Sequence, residues 1–370
     1  MSELDHYDYE LPRELIAQAP ALNRIDARLL VVRRDQRSIA HHHVRDLPDL
    51  LRPGDCLVLN NTQVIPARLE GFRTGTGGHF EGLFLESNRG LSPTTPTDGS
   101  PVNRDDRDDQ PPELWHLMCK TRGKLKPGET VTLRDADGRE GLRLEMVGQQ
   151  EDGTWVVAPL ADEPALDLLH RVGRVPLPPY IRHGRMAEAD REHYQTTYAA
   201  RPGAIAAPTA GLHFTQGLLE RLAALGVEIC YLTLHVGPGT FRPMTSERVA
   251  EHQLDPEWGD VDQATVDRIQ AVRDAGGRVI AVGTTSVRLL ETAAREGALR
   301  PYRGQTDLFI HPPFEFRVVD CLMTNFHLPR TSLLVLVRTF GGDALISRAY
   351  EEAVVERYRF YSYGDAMLIL

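Results

Sequence analysis

From about residue 204 onward, short apolar runs of strand length alternate with segments whose aliphatic residues recur at helical spacing. Such a pattern belongs to a mainly parallel sheet with helices packed on its faces. The run 204–208 is short and apolar. Thr215 then stands as an N-cap before Leu218, Leu219, Leu222 and Leu225, which share one helix face, and Gly226 stops that helix. A strand follows over 227–236. A helix over 262–275 ends at Gly276-Gly277, and a strand over 278–282 runs into Gly283-Thr284-Thr285-Ser286, which opens a helix carrying Val287, Leu290 and Ala294. Further on, 318–323 reads as a strand, 324–329 as a polar loop, 332–339 and 345–357 as helices, and 366–370 as the terminal strand.

The region from about 65 to 155 has another rhythm. Short segments at 80–85, 130–133, 142–147 and 155–158 are separated by Gly, Pro and Asp at close intervals, which predicts a small all-β, barrel-like unit. The expected organisation is therefore an α/β domain made of 1–64 and 155–370, interrupted by an inserted β domain over 65–154. Within the insertion, 88–112 holds five Pro and five Asp but only Leu91 and Val102 as aliphatics, so it cannot form a core and reads as a disordered loop.

Composition narrows the function. A chain of 370 residues buries about 75% of its unfolded surface, so it needs no disulfide or structural metal to hold together. Cys56, Cys119, Cys230 and Cys321 lie far apart without paired spacing, which disfavours a zinc ribbon and a secreted disulfide framework and fits a reducing cytoplasm. The N-terminus lacks the basic and apolar regions of a signal peptide, and no apolar run reaches the roughly 18 residues of a membrane span. A net charge of −10 disfavours nonspecific coating of nucleic acid but leaves room for a local basic patch. The chain's three lysines, Lys120, Lys124 and Lys126, fall within seven residues that also contain Arg122. A second basic stretch holds Arg171, Arg174, Arg182, Arg185 and Arg191. Either would meet phosphates; solvated loops are the competing reading.

Polar clusters follow directly after the expected strands: Thr209-Ala210-Gly211-Leu212-His213-Phe214, Leu234-His235-Val236-Gly237-Pro238-Gly239-Thr240-Phe241, Gly283-Thr284-Thr285-Ser286 and Thr324-Asn325-Phe326-His327-Leu328-Pro329. Parallel strands would bring them to one edge, where open α/β sheets bind ligands and helix N-termini offer free N–H groups. His213, His235 and His327 would then face one cleft. A hydrogen-bonded structural histidine is the competing reading for any one of them; three together favour a shared proton-transfer site. Glu291 is a further candidate base, set against an Arg288–Glu291 ion pair at i, i+3 spacing. Dinucleotide, Walker, serine-elbow and zincin signatures are absent. His41-His42-His43 alternates between faces if on a strand, so it reads as surface and no metal site is expected.

At these clusters the chain resembles the S-adenosylmethionine:tRNA ribosyltransferase-isomerase family of queuosine biosynthesis. The resemblance extends to Tyr7-Asp8-Tyr9-Glu10-Leu11-Pro12, Val64-Ile65-Pro66-Ala67-Arg68-Leu69, Val175-Pro176-Leu177-Pro178-Pro179-Tyr180-Ile181, Tyr194-Gln195-Thr196-Thr197-Tyr198-Ala199 and Tyr358-Arg359-Phe360-Tyr361-Ser362-Tyr363-Gly364-Asp365-Ala366, and so spans nearly the whole chain. Asn61-Thr62-Gln63 and Leu254-Asp255-Pro256-Glu257 depart from the family's usual pattern, which keeps a noncatalytic tRNA-binding homologue as the alternative reading.

The resemblance implies transfer and isomerisation of the ribosyl moiety of S-adenosylmethionine onto 7-aminomethyl-7-deazaguanine at the tRNA wobble position. The product is epoxyqueuosine, with adenine and methionine released. S-adenosylmethionine is then a co-substrate, no prosthetic group or metal is implied, and a cytoplasmic monomer without a membrane partner is expected. His213, His235, His327 or Glu291 would handle a proton. Arg68, Gln195, Tyr198, Thr209, Gly211, Gly237, Gly239, Thr240, Gly283, Thr284, Thr285, Ser286, Arg288, Asn325 and Asp365 are the candidates for substrate binding. Lys120, Arg122, Lys124 and Lys126, or Arg174, Arg182 and Arg185, are those for tRNA phosphates.

Overall fold

The computed structural model describes residues 3–91, 112–241, 244, 246 and 248–370, with Thr240 and Phe241 described in backbone only. Residues 92–111, most of the segment expected to be a disordered loop, lie outside the described residues. The chain forms two compact units, Met1–Gln63 with Leu177–Leu370, and Val64–Pro176.

The first unit opens with β1 (Arg28–Arg33), β2 (Ser38–His43) and β3 (Cys56–Asn60). The second unit then contributes β4 (Arg68–Arg73), β5 (His79–Ser87), β6 (Trp115–Thr121), β7 (Thr130–Arg134), β8 (Glu140–Gln149), β9 (Trp155–Pro159) and helix α1 (Ala165–Val172). These six strands pair antiparallel in the order β4-β5-β6-β9-β8-β7, and β7 pairs back onto β4, so the sheet closes into a barrel. Alternate residues fill its interior, among them Leu69, Phe80, Phe84, Trp115, Leu117, Val131, Leu133, Leu144 and Val157, all without exposure. The unit runs past residue 154 to Pro176 because Gly173 and Arg174, at the end of α1, pair with Leu69 and Arg68 of β4.

The rest of the first unit contributes α2 (Gln216–Ala224), β10 (Glu228–Leu234), β11 (Glu257–Val261), α3 (Gln263–Asp274), β12 (Val279–Val282), α4 (Thr284–Ala293), β13 (Tyr302–Thr306), β14 (Cys321–Asn325), α5 (Ser332–Gly341), α6 (Asp343–Val355) and β15 (Ala366–Ile369). Its nine strands run in the order β13-β11-β10-β3-β12-β14-β15-β1-β2. The four at the centre, β10, β3, β12 and β14, are mutually parallel; β15 and β11 flank them antiparallel. The expected α/β sheet and inserted barrel are both present.

Local chemistry starts and stops these elements. Thr215 accepts from the Leu218 N–H at 3.2 Å, as its position before α2 predicts, and Asp262 accepts from Thr265 at 2.8 Å. Strand β3 is buried at every position: Val58 joins the apolar layer on one face of the sheet, Leu57 and Leu59 the layer on the other. β14 starts and ends later than the sequence pattern suggests. Thr324 and Asn325, expected in a loop, pair with Met367 and Ala366, because the antiparallel neighbour β15 extends the strand by two residues.

Gly277 shows why α3 needs a residue without a side chain at its exit. A Cβ there would lie 1.9 Å from the Gly54 carbonyl oxygen, against backbone that cannot yield. Gly277→Ala is expected to destabilise the protein by about 2–3 kcal/mol, read as a lowered urea midpoint; an unchanged midpoint would show that this close approach is not required.

Candidate active site

The carboxyl ends of β10, β3, β12 and β14 lie along one edge of the sheet, and the chain entering antiparallel β15 returns to that same edge. A hollow opens there, the expected ligand position for an open α/β sheet. Its walls come from Ala206-Ala207-Pro208-Thr209-Ala210, Val236, Gly283-Thr284-Thr285, Thr324, Asn325, His327, Leu333, Tyr180, Tyr361 and Ser362. Among the described residues, no Asp, Glu, Lys or Arg belongs to this lining.

Asn325, the last residue of β14, ties the walls together. Its Oδ1 accepts from Thr209 Oγ1 at 3.0 Å, and its Nδ2 faces the Tyr361 carbonyl at 3.2 Å, the Asp365 carbonyl at 3.4 Å and His213 Nε2 at 3.3 Å. The carboxamide is thus occupied by protein groups and positions the site. His327 sits two residues on. Its Nε2 lies 2.9 Å from Thr324 Oγ1, its N–H donates to Tyr350 Oη at 3.0 Å, and its carbonyl accepts from Tyr9 Oη at 2.5 Å. The ring is therefore clamped through both backbone and side chain. Burial holds its imidazole down at about 3, so it is uncharged at neutral pH.

Gly283 takes a left-handed φ of +86° between β12 and α4, and its N–H donates to the Met323 carbonyl at 2.8 Å. That turn puts Thr284 and Thr285 in the lining while Ser286 bends back to the Val282 carbonyl at 2.8 Å. Tyr361 also has a positive φ, +73°, a strained state for a bulky residue. It is pinned by its N–H on the Phe326 carbonyl at 3.0 Å. Its ring meets that of Tyr180 edge-on with centroids 4.0 Å apart, and the Tyr180 hydroxyl lies 2.6 Å from Ser362 Oγ. Burial pushes both phenols above their ordinary range, so they remain protonated hydrogen-bond donors.

Of the residues singled out in the sequence, Thr209, Gly283, Thr284, Thr285, Asn325 and His327 line this cavity. His213 stands one hydrogen bond behind it, on Asn325; burial, with the Arg24 guanidinium nearby, holds its imidazole down to about 4. The expectation that His235 faces the same cleft is corrected. Its ring stacks on Trp258 with centroids 5.0 Å apart and meets Thr62 Oγ1 at 2.7 Å, while the next residue, Val236, points into the cavity. Glu291 is corrected too. Its carboxylate is buried and accepts from the N–H groups of Arg317, Val318 and Val319 at 2.9, 3.1 and 3.0 Å, so it anchors a loop. The expected Arg288–Glu291 pair is replaced by a buried pair between Arg288 and Glu257.

Other candidates lie elsewhere. Arg288 and Gly239 line a second hollow, next to which the Gly237 N–H donates to Glu257 at 2.8 Å. The side chain of Thr240 lies outside the described residues. Gln195 borders an open groove with Arg24. Tyr198 is half-buried with its hydroxyl against Gly211, where a Cβ would come within 2.1 Å of that hydroxyl, which accounts for the glycine sterically. Asp365 holds the Arg28 and Arg359 N–H groups at 2.9 and 2.8 Å, a structural role. Arg68 belongs to β4 of the barrel unit. Arg174 is engaged by Glu70 and the Asp135 carbonyl, and Arg182 by Asp190 and Gln18, whereas Arg185, Lys120, Arg122, Lys124 and Lys126 are exposed. Sequence reasoning missed Tyr180, Tyr361 and Ser362 as lining residues, although all three fall inside the quoted family-like stretches.

An open sheet with a hollow at the carboxyl edge of its parallel centre gives the chain the architecture of the α/β proteins that bind ligands at that edge. Residues 4–369 match the family model for queuosine biosynthesis proteins. The S-adenosylmethionine:tRNA ribosyltransferase-isomerase of Symbiobacterium thermophilum is 48% identical over 369 residues, covering 99% of each chain. The protein of the same name from Aquifex aeolicus is 44% identical over 367 residues, again 99% of each. The crystal structure of S-adenosylmethionine tRNA ribosyltransferase from Thermotoga maritima matches with a TM-score of 0.53 at 35% identity, covering 99% of this chain and 100% of that one. The chain belongs to the queuosine biosynthesis protein family and is a transferase of that family.

The buried histidines make stability depend on pH in a definite sense. Folded His327 takes a proton only near 3, whereas an unfolded histidine takes it at about 6.5. The unfolded state therefore binds more protons as pH falls below 6.5, and stability is lost through that window. In His327→Gln, the fall of unfolding free energy between pH 6.5 and 4 is expected to be shallower by up to about 1.4 kcal/mol per pH unit. Equal slopes in urea titrations of the two proteins would contradict a neutral, buried imidazole.

Proposed function

We propose that the protein moves the ribosyl moiety of S-adenosylmethionine onto 7-aminomethyl-7-deazaguanine at the wobble position of tRNA. The ribose is isomerised to give epoxyqueuosine, with release of adenine and methionine. The observation that carries this reading beyond family membership is the cavity lining, which among the described residues combines a neutral histidine with no charged side chain.

A sulfonium acidifies its neighbouring C5′ hydrogen. Removing that proton turns the sulfonium into an ylide with no net charge and moves the positive charge onto the proton acceptor, so the step shifts the cation within the cavity rather than discharging it. His327, kept unprotonated by burial, is the proton acceptor of this reading; Thr324 Oγ1 occupies Nε2 and leaves Nδ1 as the other polar atom of the ring. Collapse of the ylide opens the ribose and expels adenine. The aminomethyl nitrogen of the modified base then attacks, and methionine leaves as a neutral thioether during ring closure.

The ribose hydroxyls find donors and acceptors in Thr209, Thr284, Thr285 and Ser362, four neutral groups that orient without adding charge. Tyr180 and Tyr361 offer aromatic surface for a planar base. The wobble base must leave its stack to reach any such hollow, as in other base-modifying enzymes. We infer that the protein acts in the reducing cytoplasm, consistent with its four free cysteines.

Incubation with S-adenosylmethionine and precursor-bearing tRNA, followed by nucleoside digestion and mass analysis, is expected to yield epoxyqueuosine and one adenine per product. His327→Gln should lower adenine release by about 10²–10⁴-fold, the usual contribution of a general base, while donor binding by calorimetry persists. S-adenosylhomocysteine in place of adenine would mark an ordinary methyltransferase, and tRNA binding without either product a noncatalytic homologue. Both outcomes overturn the proposal.

A further inference from the structure

We propose that the pair Arg73–Glu129 on the barrel unit is a brace that holds the loop 122–126 as a preformed cationic dock for a nucleic-acid phosphate backbone. The inference deepens the tRNA reading above and rests on it. The loop joins β6 to β7. Beneath it, Arg73, the last residue of β4, donates from Nε to Glu129 Oε1 at 2.6 Å, from Nη1 to the Arg122 carbonyl at 3.1 Å and from Nη2 to the Lys124 carbonyl at 3.3 Å. The other oxygen of Glu129 accepts from the Lys126 N–H at 3.1 Å. The two side chains are only 13% and 17% exposed. They grip the backbone of alternate residues, Arg122, Lys124 and Lys126, whose own side chains point to solvent.

The loop is shaped for this. Gly123 takes a φ of +78°, so the chain can turn over the guanidinium, and a Cβ there would sit 3.4 Å from Arg73 Nη1. Lys120, also exposed, adds a fourth cation from β6, where Glu81 is its cross-strand neighbour on β5. Among the described residues none of the four cations takes part in an ion pair. Arg174 and Arg182 contrast with them, because both are already bound to acidic side chains.

A chain with net charge −10 repels a polyanion at a distance. Association with RNA therefore needs its positive charge concentrated, and all three lysines lie here. A loose loop would also lose conformational freedom on binding, whereas a braced one has lost it in folding. The fork geometry explains the choice of arginine. One guanidinium serves two carbonyls and a carboxylate in one plane, which an ammonium group does not do.

The sign of a charge substitution separates this idea from plain electrostatics. Binding of an unmodified tRNA transcript would be measured over a series of salt concentrations for wild type, Glu129→Gln, Arg73→Lys and the triple variant Lys120→Gln/Lys124→Gln/Lys126→Gln. Glu129→Gln removes a negative charge next to the RNA, so electrostatics alone predicts tighter binding. The brace predicts binding weaker by about three- to tenfold, with the salt slope of wild type. Arg73→Lys keeps the net charge and should show the same loss, which covers the case in which Glu129→Gln folds poorly. The triple variant should flatten the salt slope by about 2–3. Unchanged or tighter binding in both brace variants overturns the brace. A triple variant with the wild-type slope overturns the dock, and normal adenine release from saturating precursor tRNA would then show that the proposed reaction stands without it. Wild-type protein that fails to bind tRNA at all overturns both.

Discussion

The carboxamide of Asn325 sits among four groups from two stretches of chain: Thr209 and His213 at the ends of one 3-10 turn, and the Tyr361 and Asp365 carbonyls in the turn that enters β15. Its two amide hydrogens face three acceptors between 3.2 and 3.4 Å away, so the bonds are shared and long, and none is spare for a ligand. A buried group with that many partners costs about 1–3 kcal/mol for each one left unmade. Asn325 can hold this place only because β14 ends at the same edge as β10, β3 and β12 while β15 starts there antiparallel. Sheet direction and cavity construction are the same constraint seen at two scales.

Among the described residues the site so built carries hydroxyls in a mainly apolar lining and no charged side chain. Thr209, Thr284, Thr285, Thr324 and Ser362 supply hydroxyls, His327 a neutral imidazole, and Tyr180 and Tyr361 protonated phenols. The nearby charges are paired away from it. Glu257 is taken by Arg288, Asp190 by Arg182, and Asp365 by two backbone N–H groups. Burial without a nearby partner charge keeps these imidazoles neutral and makes the histidines acid-sensitive elements of stability.

What the sequence made legible were the features set by neighbours along the chain. Thr215 announced α2, Gly276-Gly277 closed α3, and the run into Gly283 marked a strand end from which a helix starts over a ligand. Features decided across the fold were hidden. His235 and Val236 are adjacent, and only the register of β10 and its neighbours decides which of them turns inward. Glu291 had an arginine at helical spacing, yet Arg288 found Glu257, 31 residues away, and Glu291 found the backbone after Gly283's helix instead. Tyr361 and Ser362 reach the cavity because β15 runs against β14, a direction that no local pattern encodes. In the barrel, Gly71 marks closure: a Cβ there would meet the Thr132 carbonyl oxygen at 2.2 Å, a requirement visible only once β4 lies against β7.

The central claim is that the donor's sulfonium lies in this uncharged hollow at the strand edge. A crystal structure of the protein with bound S-adenosylmethionine tests it most directly. The account predicts density for the nucleoside and sulfonium beside His327, with hydroxyl contacts to Thr209 or Thr285 and the base against Tyr361. A donor seated instead in the hollow lined by Gly239 and Arg288, or in the groove by Arg24, with the first cavity unfilled, would contradict it.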